Sequence, residues 1–167
     1  MKKVLLVICV LFPLMGWADE SSKVKILKKG DRCPGFVFKD MEGNEMSLEQ
    51  FKGKYVVLDI WASWCHPCKR EFPSLKKLEE KYKGKNIVFV GLSCDQSEWR
   101  WKNELGFQRD MVMYQWWIMR DDFTRAFQIA AIPRLILLDK KGRVLHLALP
   151  KPSDEKFEKI LNELKEL

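Results

Sequence analysis

The sequence predicts an α/β sandwich, a central, partly parallel sheet covered by helices on both faces. Three observations carry this. YVVLDIWAS (55–63) and NIVFVGLSCD (86–95) are near-continuous apolar runs with β-branched residues, as strands buried on both faces require. Amphipathic segments alternate with them, which makes the strands part of β-α-β units. The 167 residues show no repeat and no low-complexity tract, so one domain with an ordinary core accommodates them.

Taken in order, FVFKDMEGNEMSL reads as a strand, a Glu-Gly-Asn turn and a second strand. Ser47 and Gln50 then offer a capping box for one helical turn. The first buried strand follows at 55–63. After Cys68, the apolar positions Phe72, Leu75, Leu78 and Tyr82 recur at helical spacing until Gly84, with a kink expected at Pro73. Beyond the second buried strand, 96–107 reads as a helix, 111–119 contains a strand, and a helix begins near Asp121. RLILLD and RVLHLAL form a hairpin around a Gly-containing turn, and an amphipathic helix with Ser153 near its start closes the chain.

The first twenty residues are different in kind. Lys2 and Lys3 precede an apolar run from Val4 to Met15, and Gly16 and Ala18 supply small residues at the cleavage positions. This predicts a secretory signal peptide over 1–18, cleaved near Ala18, and a domain over 19–167 in an extracytoplasmic, periplasmic or cell-envelope location. Membrane attachment follows only if the segment stays uncleaved. The formal charge of +7 is interleaved rather than gathered into a stripe, as in KKLEEKYKGK (76–85), and no nucleic-acid motif accompanies it.

Cys33, Cys65, Cys68 and Cys94 lie beyond the leader. In WASWCHPCKR (61–70), Cys65 and Cys68 fall where the first buried strand gives way to a helix. Unpaired N–H groups at a helix start favour a thiolate, and Cys68, one turn in, is close enough to form a disulfide with it. His66, if protonated, would stabilise that thiolate, and Pro67 gives up an N–H that the first turn cannot use. Zinc would need four ligands, and no second knuckle or His pair accompanies this one, so no metal is expected. A peroxidase-type nucleophile would leave Cys68 without a role. An exchanging dithiol uses everything present, and the disulfide itself then stands in for a cofactor.

Asp59 interrupts the strand that delivers Cys65. A buried carboxylate has a raised pKa, and one behind the pair could take a proton from Cys68. Pro133, in AIPRL, sits at a corner between a helix and a strand, where a proline is either cis or in an ordinary trans turn. Cys33 and Cys94 read as two buried thiols, or as a second pair if the hairpin lies over the end of the second buried strand.

With these residues assembled, the chain resembles the thioredoxin superfamily and, within it, the secreted TlpA/ResA-like thiol-disulfide oxidoreductases. The matching pieces are residues 30–75, IVFVGLSCD, AIPRLILLDKKGRV and the terminal helix. The resemblance implies a thioredoxin-like fold with an added N-terminal hairpin and a βα insertion. It carries over Cys65 as attacking thiol, Cys68 as resolving thiol, Asp59 as buried acid and Pro133 as a cis-proline. It also implies that Ile132 offers its backbone to the substrate and that Trp64 flanks the site. His66, Arg134 and Cys33 depart from common family residues. The similar opening of peroxiredoxins does not extend to their chemistry, because Leu58 and Ala62 stand where those enzymes need Pro and Thr or Ser.

The function expected is thiol–disulfide exchange with protein thiols and disulfides, in the reducing direction. An upstream electron donor must supply the pair, since no nucleotide or flavin motif is present. An oxidant or isomerase, and a non-catalytic module that binds a partner or copper with its disulfide static, are the alternatives; copper chaperones on this fold add a nearby histidine, and His146 falls on a late strand.

Overall fold

The computed structural model describes residues 24–108, 111–112 and 114–167, so the leader expected over 1–18 lies outside the described residues. A hairpin of β1 (Val37–Lys39) and β2 (Glu45–Ser47) comes first, then a 3₁₀ turn at Leu48–Phe51. β3 (Tyr55–Trp61), α1 (His66–Lys81), β4 (Ile87–Ser93), α2 (Glu98–Phe107), β5 (Tyr114–Trp117) and α3 (Asp122–Ala126) follow. β6 (Arg134–Leu138), β7 (Val144–His146) and α4 (Glu155–Asn162) complete the order.

The seven strands form one sheet in the order β2-β1-β5-β4-β3-β6-β7. β3 pairs parallel with β4 and antiparallel with β6, and β4 pairs parallel with β5. The result is the mixed sheet of a thioredoxin-like α/β fold. The hairpin joins the edge through an antiparallel contact between Lys39 and Trp117.

Strand side chains alternate between faces. On β3, Val56, Leu58 and Ile60 point into a core with Phe38, Phe51, Trp116, Phe123 and Phe127. Trp116 stacks on both Phe38 and Phe51, with centroids 5.8 and 5.6 Å apart. Tyr55 and Val57 face the opposite core, with Leu75, Leu78 and Tyr82 of α1 and Phe157 and Leu161 of α4. Asp59 and Trp61 share this second face by period two. The strand's own alternation therefore puts Asp59 beneath α1.

Several elements differ from the sequence expectation. β3 ends at Trp61 rather than 63, because Cys65 N–H bonds Ala62 O and turns the chain. Ser47 Oγ accepts from Glu49 N–H, but Gln50 donates to Ser47 O instead of closing a capping box. α1 includes Pro73 within His66–Lys81 and stops before Gly84, as expected, where a φ of +81° suits glycine. Asp154 caps α4 by accepting from Lys156 N–H, and that helix ends at Asn162. Among the described residues, no helix is long and apolar enough to cross a membrane.

Candidate active site

The site begins where β3 runs out. Ala62 to Trp64 form a turn, and α1 starts at His66 with Cys65 as its N-cap. Cys65 Sγ accepts the Cys68 N–H at 3.2 Å, one of the donors a helix start leaves free. Pro67 fills the first turn, where a missing N–H costs nothing. Cys65 and Cys68 are joined in a disulfide, their Cα atoms 5.3 Å apart. Both cysteines are buried, whereas Trp64, His66 and Pro67 are exposed around them. Trp61, Ala62, Phe72 and Trp101 pack with the pair, and the Trp61 and Phe72 rings meet edge to face at 5.2 Å.

Asp59 is buried beneath this layer. Burial pushes its carboxyl up to about 7, and the negative charge of Glu71 on α1 adds in the same direction. Glu71 is itself oriented by Ser153, whose N–H and Oγ each bond its carboxylate at 3.0 Å. The Ile132–Pro133 peptide is cis and both residues are half-buried. Ile132 packs at the edge of the cluster that holds the disulfide. Arg134 heads β6 and its guanidinium donates to Leu147 O at 3.4 Å, on the β7 side.

Sequence reasoning missed several residues that hold this site. Asp95, buried just past β4, accepts from Ser63 N–H at 2.8 Å, Ser63 Oγ at 2.7 Å and Ser93 Oγ at 2.9 Å. It thereby clamps the turn that carries Cys65. Trp117 Nε1 donates to the Asp95 carbonyl at 2.8 Å. Gln115 accepts from Trp61 Nε1 at 3.2 Å by lying across Gly91, where a Cβ would come within 2.3 Å of its side-chain oxygen. A glycine inside a buried strand signals such a close approach, and the GLSCD stretch carried that signal.

Cys33 and Cys94 are both free thiols. Cys33 N–H bonds Gly142 O in the β6–β7 turn, while Cys94 N–H bonds Trp61 O at the far end of β3. The hairpin therefore does not bring them together. Burial pushes Cys33 up to about 12; burial and the neighbouring Asp95 charge push Cys94 up to about 11. Among the other tryptophans, Trp101 and Trp116 are buried, Trp117 is half-buried and Trp99 is open to solvent. His146 lies on β7 opposite Leu137, two strands from β3, and no cluster of metal-ligating side chains occurs among the described residues.

A thioredoxin-like fold with a redox-active C-x-x-C disulfide at the start of a helix defines a thiol-disulfide oxidoreductase. The Redoxin family matches residues 28–164, and the chain belongs to that family. It is similar to the thiol-disulfide oxidoreductase ResA of Bacillus thuringiensis subsp. konkukian, 30% identical over 96% of this chain and 92% of that protein. The thioredoxin domain of a Bacteroides vulgatus thiol-disulfide oxidoreductase superposes with a TM-score of 0.72 at 28% identity, covering 82% of this chain and 97% of that one. A thiol:disulfide interchange protein from Bacteroides sp. gives 0.68 at 32% identity, covering 84% and 94%.

Two predictions concern the groups around the pair. Asp95→Asn leaves one oxygen where the carboxylate had two, and should lower stability by about 2–3 kcal/mol in denaturant titrations, the scale of a hydrogen bond to a charged group. A loss below about 0.5 kcal/mol would place it with ordinary surface changes and remove the clamp. Asp59 keeps its proton up to about pH 7 when folded, against 3.8 for the free group, so the folded state binds the extra proton between those values. Its contribution is fully present below 3.8 and is lost as pH rises to about 7. Asp59→Asn should therefore gain stability relative to wild type across that window; a constant difference would mean an ordinary pKa.

Proposed function

We propose that this protein is an extracytoplasmic disulfide reductase in which Cys65 attacks and Cys68 resolves. The observation that carries the reading is the disulfide at the N-terminus of α1 with a buried carboxyl beneath it, held near neutrality. When the pair is reduced, the free N–H groups of the first turn stabilise a Cys65 thiolate. That thiolate attacks a sulfur of the substrate disulfide. One substrate thiolate leaves and a mixed disulfide to Cys65 remains. Cys68 gives its proton to Asp59 and attacks Cys65 Sγ, which expels the second substrate thiolate and restores the Cys65–Cys68 bond. The substrate gains two electrons and the protein loses two.

The surroundings supply the docking edge. Trp64 offers an exposed ring beside Cys65, and Ile132, which packs at the edge of the disulfide cluster before the cis peptide to Pro133, would offer its backbone to the substrate. His66 is exposed next to the attacking thiol, where a protonated imidazole would stabilise the thiolate. The partners are protein disulfides and an upstream dithiol donor that returns the electrons. Export rests on Lys2, Lys3, the apolar run and Ala18. The ResA name of the curated relatives supports the same reaction class.

Cys65→Ser should abolish disulfide reduction, and Cys68→Ser should accumulate covalent partners that a reductant releases on a non-reducing gel. Full activity in the first variant would overturn the assignment, and an empty trap in the second would exclude protein substrates. The rate of mixed-disulfide resolution should rise with pH through about 7, because only the ionised Asp59 accepts a proton. Asp59→Asn should slow resolution by about 10²-fold, the low end of general-base effects, and erase that inflection. An unchanged profile would remove Asp59 from the proton path.

A further inference from the structure

Several polar groups around the disulfide have hydrogen-bond partners. Trp61 Nε1 has Gln115, Trp117 Nε1 has the Asp95 carbonyl, Ser63 and Ser93 have the Asp95 carboxylate, and Cys68 N–H has Cys65 Sγ. Trp101 Nε1 is buried with no hydrogen-bond partner among the described residues. The whole side chain is 0% exposed, and a buried indole N–H ordinarily finds an acceptor.

Trp101 belongs to the same buried cluster as Cys65 and Cys68, with Trp61, Ala62 and Phe72. Its helix is tied to the first turn of α1 by Lys69, the residue after Cys68, which bonds Glu104 at 3.0 Å. Glu104 stands three residues after Trp101, on the same face of α2. Among the buried apolar side chains packed with Trp101, the two cysteine sulfurs are the groups able to accept a hydrogen bond. A disulfide sulfur is a poor acceptor. A thiolate is a charged one, and opening the bond frees both sulfurs to move.

We propose that Trp101 is a positioning residue whose indole N–H is held for a sulfur of the reduced Cys65–Cys68 pair. The inference rests on the redox reading of that pair. In reduction by glutathione, two glutathione thiols supply two electrons, the Cys65–Cys68 bond breaks and glutathione disulfide forms. Of the two protons released, one stays on a cysteine sulfur and one leaves to solvent. The remaining thiolate accepts the Trp101 N–H. The donor thus goes unpaired in the disulfide form and paired in the dithiol form, which favours reduction.

The test uses the full chain with ¹⁵N-labelled tryptophan, titrated with glutathione while alkylation and mass spectrometry count free thiols. On reduction, the Trp101 indole resonance, identified by through-space contacts within its cluster, should move downfield and its hydrogen exchange should slow. Trp101→Phe keeps an aromatic ring and removes the donor. Its equilibrium with glutathione should shift about tenfold toward the disulfide, equivalent to about 30 mV. If the pair titrates but the Trp101 resonance stays in place, the inference fails and the redox reading stands. An unchanged equilibrium in a folded Trp101→Phe variant overturns it equally. Should the Cys65–Cys68 pair itself not titrate, both fall.

Discussion

β3 is buried along its whole length and hydrogen-bonded on both sides, to β4 and to β6. That double pairing fixes where the strand ends and the direction in which residues 62–65 leave it. Everything at the site inherits this placement. Cys65 caps the helix that begins there, Cys68 sits one turn in, and period two along the strand aims Asp59 at the same layer. Neighbouring strands add the remaining supports at the same level: Gln115 across Gly91 from β5, and Asp95 from the end of β4.

Two acids near the pair have opposite surroundings, and the contrast explains their different uses. Asp95 is buried but receives three donors, two from the turn it clamps. Asp59 is buried and shares its surroundings with the Glu71 charge, so its neutral form is favoured up to about pH 7. One carboxylate holds geometry. In the proposed mechanism the other exchanges a proton near the pH at which thiolates form. Such a division by environment, between acids of identical chemistry, is how a site separates scaffolding from reactivity.

The parts written locally were legible in the sequence. Apolar runs marked β3 and β4, helical spacing of Phe72, Leu75 and Leu78 marked α1, and the strand-to-helix junction marked Cys65 and Cys68. Asp59 could be singled out because an acid inside an apolar run is rare. The supports of the site were not legible, since they join residues far apart in the chain: Ser63 with Asp95, Trp61 with Gln115, Glu71 with Ser153. Nothing local announces which polar residue meets which. The separation of Cys33 from Cys94 was hidden for the same reason: Cys33 is tied to the β6–β7 turn, beside the start of β3, and Cys94 to the end of β3.

The most direct test is a redox titration of the purified protein against a dithiol buffer, with free thiols counted at each potential. A two-electron transition with a midpoint near or below about −250 mV, absent when Cys68 is replaced by Ser, is the result expected of a reductase working through this pair. A midpoint near −120 to −180 mV would make the protein an oxidant or isomerase instead. A Cys68→Ser variant that titrates like wild type would contradict the assignment of Cys65 and Cys68 as the redox centre.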